Sequence, residues 1–186
     1  MSCPKSNQRR VSDQYMGRSG EKLFENLTKK FRLFVRKSTR DEDYFQHWDY
    51  LVHIGGIDTK VEVKALKKVA RHHSGAGQDR FVWLEINGVR GPQGEFNPGW
   101  ICGSHADYIA FQTNEGFMML RVSVLKKIID VIVERGHRVK YANQALYSIY
   151  ERGRGDACTL VKKTDLLKLN PIFLTESFGC FQNFFS

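Results

Sequence analysis

The sequence predicts an α/β fold, a single domain with a central mixed β-sheet flanked by α-helices. Three observations carry this reading. An amphipathic helical stretch is followed by alternating, β-branched segments, then by a second amphipathic helix and further strands, the order of a sheet with helices on its faces. The 186 residues suffice for one domain with a real core and are too few for two comfortable ones. The composition, 41% hydrophobic and 26% charged, is that of an ordinary globular chain.

Residues 1–16 are polar and basic and read as a flexible arm. From Gly17 to Arg36, Leu23, Phe24, Leu27, Phe31, Phe34 and Val35 recur at helical spacing and predict one buried stripe. The segment KSTRDEDYFQH reads as a polar turn, and WDYLVHI after it as a strand. Gly55-Gly56 supplies the positive φ angles of a tight connection, so KVEVKAL returns as the second strand of a hairpin. ARHHSGAGQD and GVRGPQGEFNPG read as loops on either side of the strand FVWLEI. DYIAFQ and FMMLRV form two strands around Asn114-Glu115-Gly116, and Ser123 caps a helix that ends at Gly136. A short strand around YSIYER, the stretch RGRGD and TLVKKTDLLKL complete a domain over residues 17–170. The remaining 171–186 form an apolar, aromatic tail expected to pack on the domain or on a partner.

Lysine and arginine total 29 against 20 acidic residues, a formal charge of +9. Such an excess suits a polyanion, because phosphate neutralisation releases counterions. Cys3, Cys102, Cys158 and Cys180 show no paired spacing, so neither a disulfide framework nor a zinc site is expected. The basic N-terminus lacks a signal-peptide pattern, and no apolar run is long enough for a bilayer. These features suggest a soluble protein of a reducing intracellular compartment.

Chemistry concentrates between Asp49 and Lys64. Glu62 and Lys64 lie two apart on a predicted strand and share a face, with Val61, Val63 and Ala65 on the other for a helix to cover. Ionised groups on a buried strand need partners, which a divalent metal and a phosphate supply. Asp49, on the preceding strand, faces Glu62 only if the hairpin register allows it. Two carboxylates suit Mg²⁺, and a nearby lysine suits an attacking water or a charged transition state. The competing reading is a salt-bridged surface strand.

Asp49, twelve intervening residues and Glu62-Val63-Lys64, after a glycine-started helix, resemble the PD-(D/E)XK nuclease superfamily. The spacing is nearest that of Holliday junction resolvase-like and phage or viral nucleases, and the resemblance covers residues 17 to 70. It implies a restriction-endonuclease-like fold and a Mg²⁺-dependent hydrolase, with Mn²⁺ able to substitute. The implied substrate is DNA, branched or otherwise structured, in repair or recombination, with RNA left open. Metal would be held at Asp49, Glu62 and the main-chain carbonyl of Val63. Met16-Gly17-Arg18-Ser19-Gly20-Glu21 resembles the family's helix start and makes Glu21 the helix acid, with Glu25 its rival. Trp48 stands where the family often has proline. A homodimer follows only for the resolvase branch.

Arg36, Lys37, Ser38, Thr39 and Arg40 form a donor cluster suited to phosphates, or a solvated turn. Lys67, Lys68, Arg71, His72 and His73 continue a basic path, and Arg152 and Arg154 flank a glycine that lets DNA approach closely, unless they sit on a mere surface turn. Glu85 is either a further ligand or the partner of an arginine. His47 is either a proton carrier near Asp49 or structural. Two rival functions stand beside catalysis: a nucleic-acid-binding module with a degenerate nuclease fold, and an interaction protein assembled through the tail.

Overall fold

A glycine pair organises the centre of the molecule. In the computed structural model Gly55 and Gly56 have φ of 58° and 85°, the left-handed values that turn a strand back on itself without splaying it. They join β2 (Tyr50–Ile54) to β3 (Ile57–Lys64), which pair antiparallel with Tyr50 opposite Val61. The structure describes residues 5–66, 79–88, 98–152 and 155–176, with side chains from residue 17 onward.

Upstream, α1 spans Lys5–Lys30, and Phe34–Lys37 form β1, antiparallel to β2. The helix therefore begins inside the expected arm and stops before Phe34 and Val35. Arg32, at φ 57°, breaks it, and strand pairing takes the residues that the helical spacing had claimed. The expected turn before β2 contains a helix, α2 (Arg40–Gln46). Thr39 accepts from the Glu42 amide while the Glu42 carboxylate accepts from the Thr39 amide, a reciprocal capping box.

The described residues form two sheets where one was expected. The first has the order β1-β2-β3-β5-β6-β10, with β5 at Tyr108–Gln112, β6 at Gly116–Arg121 and β10 at Ile172–Thr175. It is mixed, because β3 and β5 run parallel. The second has the order β4-β9-β8-β7, from β4 (Phe81–Asn87), β7 (Glu134–Val139), β8 (Ser148–Glu151) and β9 (Ala157–Lys162). Short helices α3 (Trp100–Gly103) and α5 (Lys163–Leu167) and the longer α4 (Val122–Ile132) complete the fold. Arg121 precedes α4 with no side-chain cap, so Ser123 lies inside the helix, and Gly136 belongs to β7. Part of the expected tail is β10, an integral strand beside β6.

Each face of the first sheet has its own core. Phe24 and Leu27 of α1 pack on Tyr50, Val52, Val61, Val63, Tyr108 and Ala110. On the opposite face Ile109, Phe111, Met118 and Leu120 meet Leu84, Ile86, Ile101, Leu125, Ile129 and Val161. Val61 and Val63 thus face the helix as the alternating pattern requires, leaving Glu62 and Lys64 for the other side.

Gly116 opens β6 at φ 145°, and a Cβ there would meet the Leu174 carbonyl oxygen at 2.2 Å. Gly116→Ala is expected to lower the unfolding free energy by about 2–3 kcal/mol. Gly136→Ala, with nothing within 4 Å of its added Cβ, should change it by less than about 0.5 kcal/mol. Urea unfolding of the two variants measures the contrast, and equal effects would contradict the packing of β6 on β10.

Candidate active site

The β2–β3 ladder ends at Tyr50 and Val61, and Asp49 lies just beyond it at an irregular step of the strand, near enough to Glu62 for that residue's charge to act on it. The Asp49 carbonyl continues the β1–β2 pairing by accepting from the Ser38 amide (2.7 Å), whereas the Asp49 amide donates to the Val61 carbonyl (2.9 Å), one residue out of the β2–β3 register. Its side chain turns toward β3, where Oδ2 accepts from the Val63 amide at 2.6 Å. Glu62 is only 6% exposed. One of its carboxylate oxygens receives the Lys64 ammonium, and the other, Oε2, is fully buried with no partner among the described residues.

These acids are hard to ionise. Burial and then the neighbouring Glu62 charge push the Asp49 carboxyl up to about 7, against the pull of the Val63 amide and Lys64. Burial also raises Glu62, and Lys64 opposes it. Two neighbouring carboxylates with a single ammonium, paired to Glu62, are short of positive charge. An oxygen-seeking divalent cation fits this donor set: the orphaned Glu62 oxygen and the raised Asp49 carboxyl are both groups that such an ion would satisfy.

Glu21 reaches the site from α1, and its charge adds to the rise at Asp49. Its carboxylate pairs with Lys37 Nζ at 2.7 Å, and its main-chain carbonyl accepts from the Tyr50 hydroxyl at 3.3 Å. Glu25, the rival, pairs with Lys29 along its own helix. Gly20 explains how α1 comes so close. A Cβ there would lie 2.9 Å from the Ala65 Cβ and 3.0 Å from Gln112 Oε1, so glycine allows helix and sheet to touch one residue before Glu21.

The expected phosphate-gripping cluster is largely committed elsewhere. The Arg36 guanidinium forks onto both Glu42 oxygens (2.9 and 3.1 Å) and lies 5.2 Å from the Trp48 ring centre. Its pairing holds the Glu42 carboxyl down at about 2. Ser38 bonds to Asp49 through its backbone, Thr39 caps α2, and Lys37 belongs to Glu21. Arg152 lies 3.3 Å from Glu85 and also pairs with Asp156, so Glu85 has the arginine partner that was one of its two readings. Glu85, Asp156 and Cys158 bring ligand-type atoms within 4.8 Å of one another, but Arg152 already supplies the positive charge for that group. Lys67, Lys68, Arg71, His72, His73 and Arg154 lie outside the described residues.

His47 ends α2 at φ 52°, and its charge acts on Glu62, as does that of Asp43. The Ser104 hydroxyl fixes His47 by donating to its carbonyl (2.9 Å). Trp100 was not anticipated at all: its ring lies 4.8 Å from Lys64 Nζ. No local pattern announces it, because β4 intervenes between it and β3 in the chain.

Among solved structures, the chain is similar to the bacterial homing endonuclease I-Ssp6803I, with a TM-score of 0.46 and 18% identity. The match covers 62% of this chain and 73% of that one. No protein-family profile and no curated protein matches the sequence. No helix among the described residues is long and apolar enough to cross a membrane.

Folding raises the Asp49 carboxyl from 3.8 to about 7. The folded state therefore favours the protonated form. This contribution to stability is complete below pH 3.8 and is lost as pH rises through 7. In EDTA, the unfolding free energy should decline from pH 5 to pH 8, and Asp49→Asn should remove much of that decline. Denaturant titrations at several pH values measure it, and an identical decline in the variant would contradict the assignment.

Proposed function

We propose that this chain is a divalent-metal-dependent nuclease that hydrolyses phosphodiester bonds in DNA. The observation that supports the reading most is that Asp49 and Glu62 lie near enough at the open end of one hairpin for their charges to interact, with a buried Glu62 oxygen left without a partner among the described residues. The net charge of +9 agrees with a phosphate-backbone substrate, as does the resemblance of Asp49 and Glu62-Val63-Lys64 to PD-(D/E)XK nucleases.

Asp49 and Glu62 would hold Mg²⁺ or Mn²⁺, with the main-chain carbonyl of Val63 as the third protein ligand and Glu21 assisting from α1. When bound, the metal supplies charge neutralisation at the scissile phosphate and a lowered pKa for its water. The Val63 amide fixes the Asp49 carboxylate by donating to one of its two oxygens. Lys64 carries a positive donor beside Glu62, where it can hold the attacking water or stabilise the charge that grows on the phosphate. Lys37 keeps the Glu21 carboxylate turned toward the sheet and limits the repulsion between it and Asp49. Branched or structured DNA is the substrate class proposed from the resolvase-like spacing, and a homodimer would follow from that branch.

Purified protein is expected to cut plasmid, linear duplex or a four-way junction with Mg²⁺ or Mn²⁺, and none of them in EDTA. Asp49→Ala and Lys64→Ala should each reduce the cleavage rate by at least about a hundredfold, with DNA affinity nearly unchanged in a gel-shift assay. Full activity in either folded variant would remove the proposal. Failure of the wild type to cut any of these substrates would leave only nucleic-acid binding.

A further inference from the structure

Lys64 has a second neighbour besides Glu62. Its ammonium lies 4.8 Å from the centre of the Trp100 ring, within the range at which a cation is attracted to an aromatic face. The same ring stands 6.0 Å from Phe111, the residue paired with Lys64 across β3 and β5. The charged end of the lysine therefore has both an indole and a carboxylate as neighbours. Its side chain is only 23% exposed.

Trp100 is itself firmly held. Gly99, just before it, presses on β4 so closely that an added Cβ would meet the Glu85 carbonyl oxygen at 2.3 Å. The Gly99 amide donates to the Ile86 carbonyl (3.1 Å), and Ile101 is buried in the core between the sheets. Downstream, the Ser104 amide donates to the Trp100 carbonyl (3.0 Å), and the Ser104 hydroxyl donates to His47. The ring is thus carried on a segment fastened to β4 at one end and to the end of α2 at the other.

We infer that Trp100 is a positioning residue for Lys64, holding its ammonium where the hydrolysis of the scissile phosphate needs it. A lysine has a long, freely rotating stem, and ordering it costs conformational entropy before it can act. The indole face, itself backed by Phe111, removes much of that freedom in advance. It also excludes water from one side of the ammonium, which strengthens its action on nearby charge. The inference rests on the nuclease reading, because only a catalytic lysine needs this precision.

The test uses the full chain and two readouts. In protein labelled with ¹³Cε-lysine, the Lys64 resonance, assigned by its disappearance in Lys64→Arg, should be shifted upfield by the ring and return to the ordinary position in Trp100→Leu. In single-turnover cleavage with Mg²⁺, Trp100→Leu should slow the chemical step about three- to thirty-fold. KM and metal affinity should stay unchanged, and Trp100→Phe should recover most of the rate. If Trp100→Leu does not fold, Trp100→Met takes its place. A wild-type rate in the leucine variant, or an equal loss in the phenylalanine variant, overturns the positioning role while the nuclease stands. An unshifted Lys64 resonance in the wild type overturns it too. A wild type that cuts no DNA while showing the shifted resonance overturns the nuclease reading, and the positioning role with it.

Discussion

The register of a single hairpin is the constraint on which the candidate site rests. Side chains alternate along a strand, so a one-residue slip of β3 against β2 would exchange Glu62 and Lys64 for Val61 and Val63. The site would then be filled with methyl groups, and the charges would be forced against α1. Two features prevent the slip. The Gly55-Gly56 turn allows only the pairing that sets Tyr50 against Val61, and Asp49 locks the open end by accepting from the Val63 amide. A residue proposed as a metal ligand is therefore also the clasp that fixes its own position.

Such an arrangement opposes stability at the site and needs support from its surroundings. Removing carboxylates from water costs several kcal/mol each unless they are partnered. Lys64 and Lys37 meet part of that cost, at Glu62 and Glu21. The rest is offset by the two cores on either face of the sheet, where each buried Val, Leu or Phe contributes about 1.5–3 kcal/mol. Burial and the neighbouring Glu62 charge are what raise the Asp49 carboxyl, the electrostatic mark of that cost.

Much of this was legible in the sequence where one local rule decided the outcome. The Gly-Gly turn, the alternation of V-E-V-K and the helical spacing of Phe24 and Leu27 led to the hairpin, to the faces of β3 and to the helix that covers it. Of the two helix acids, Glu21 is the one whose charge acts on Asp49, while Glu25 pairs with Lys29. The α2 helix was legible but overlooked, because Thr39 and Glu42 form a capping box in plain view. Other features were not legible from any local pattern. Phe34 and Val35 fit a helix equally well until β2 is there to pair with them. The second sheet joins β4 to β9, more than seventy residues later in the chain, and no short-range signal specifies that pairing. Trp100 reaches Lys64 only through such long-range packing.

The place of β10 carries a consequence for how the chain is made. The hairpin that bears Asp49 and Glu62 is local and can close within microseconds of leaving the ribosome. The outer edge of β6 instead waits for residues 172–175, while β7, β8, β9 and α5 are synthesised in between. Through that interval a strand buried along most of its length in the finished fold offers bare amides and carbonyls to any passing strand. Vectorial synthesis thus makes the hairpin early and pairs the outer edge of β6 late, so the nascent chain is most vulnerable to aggregation after the hairpin has already closed.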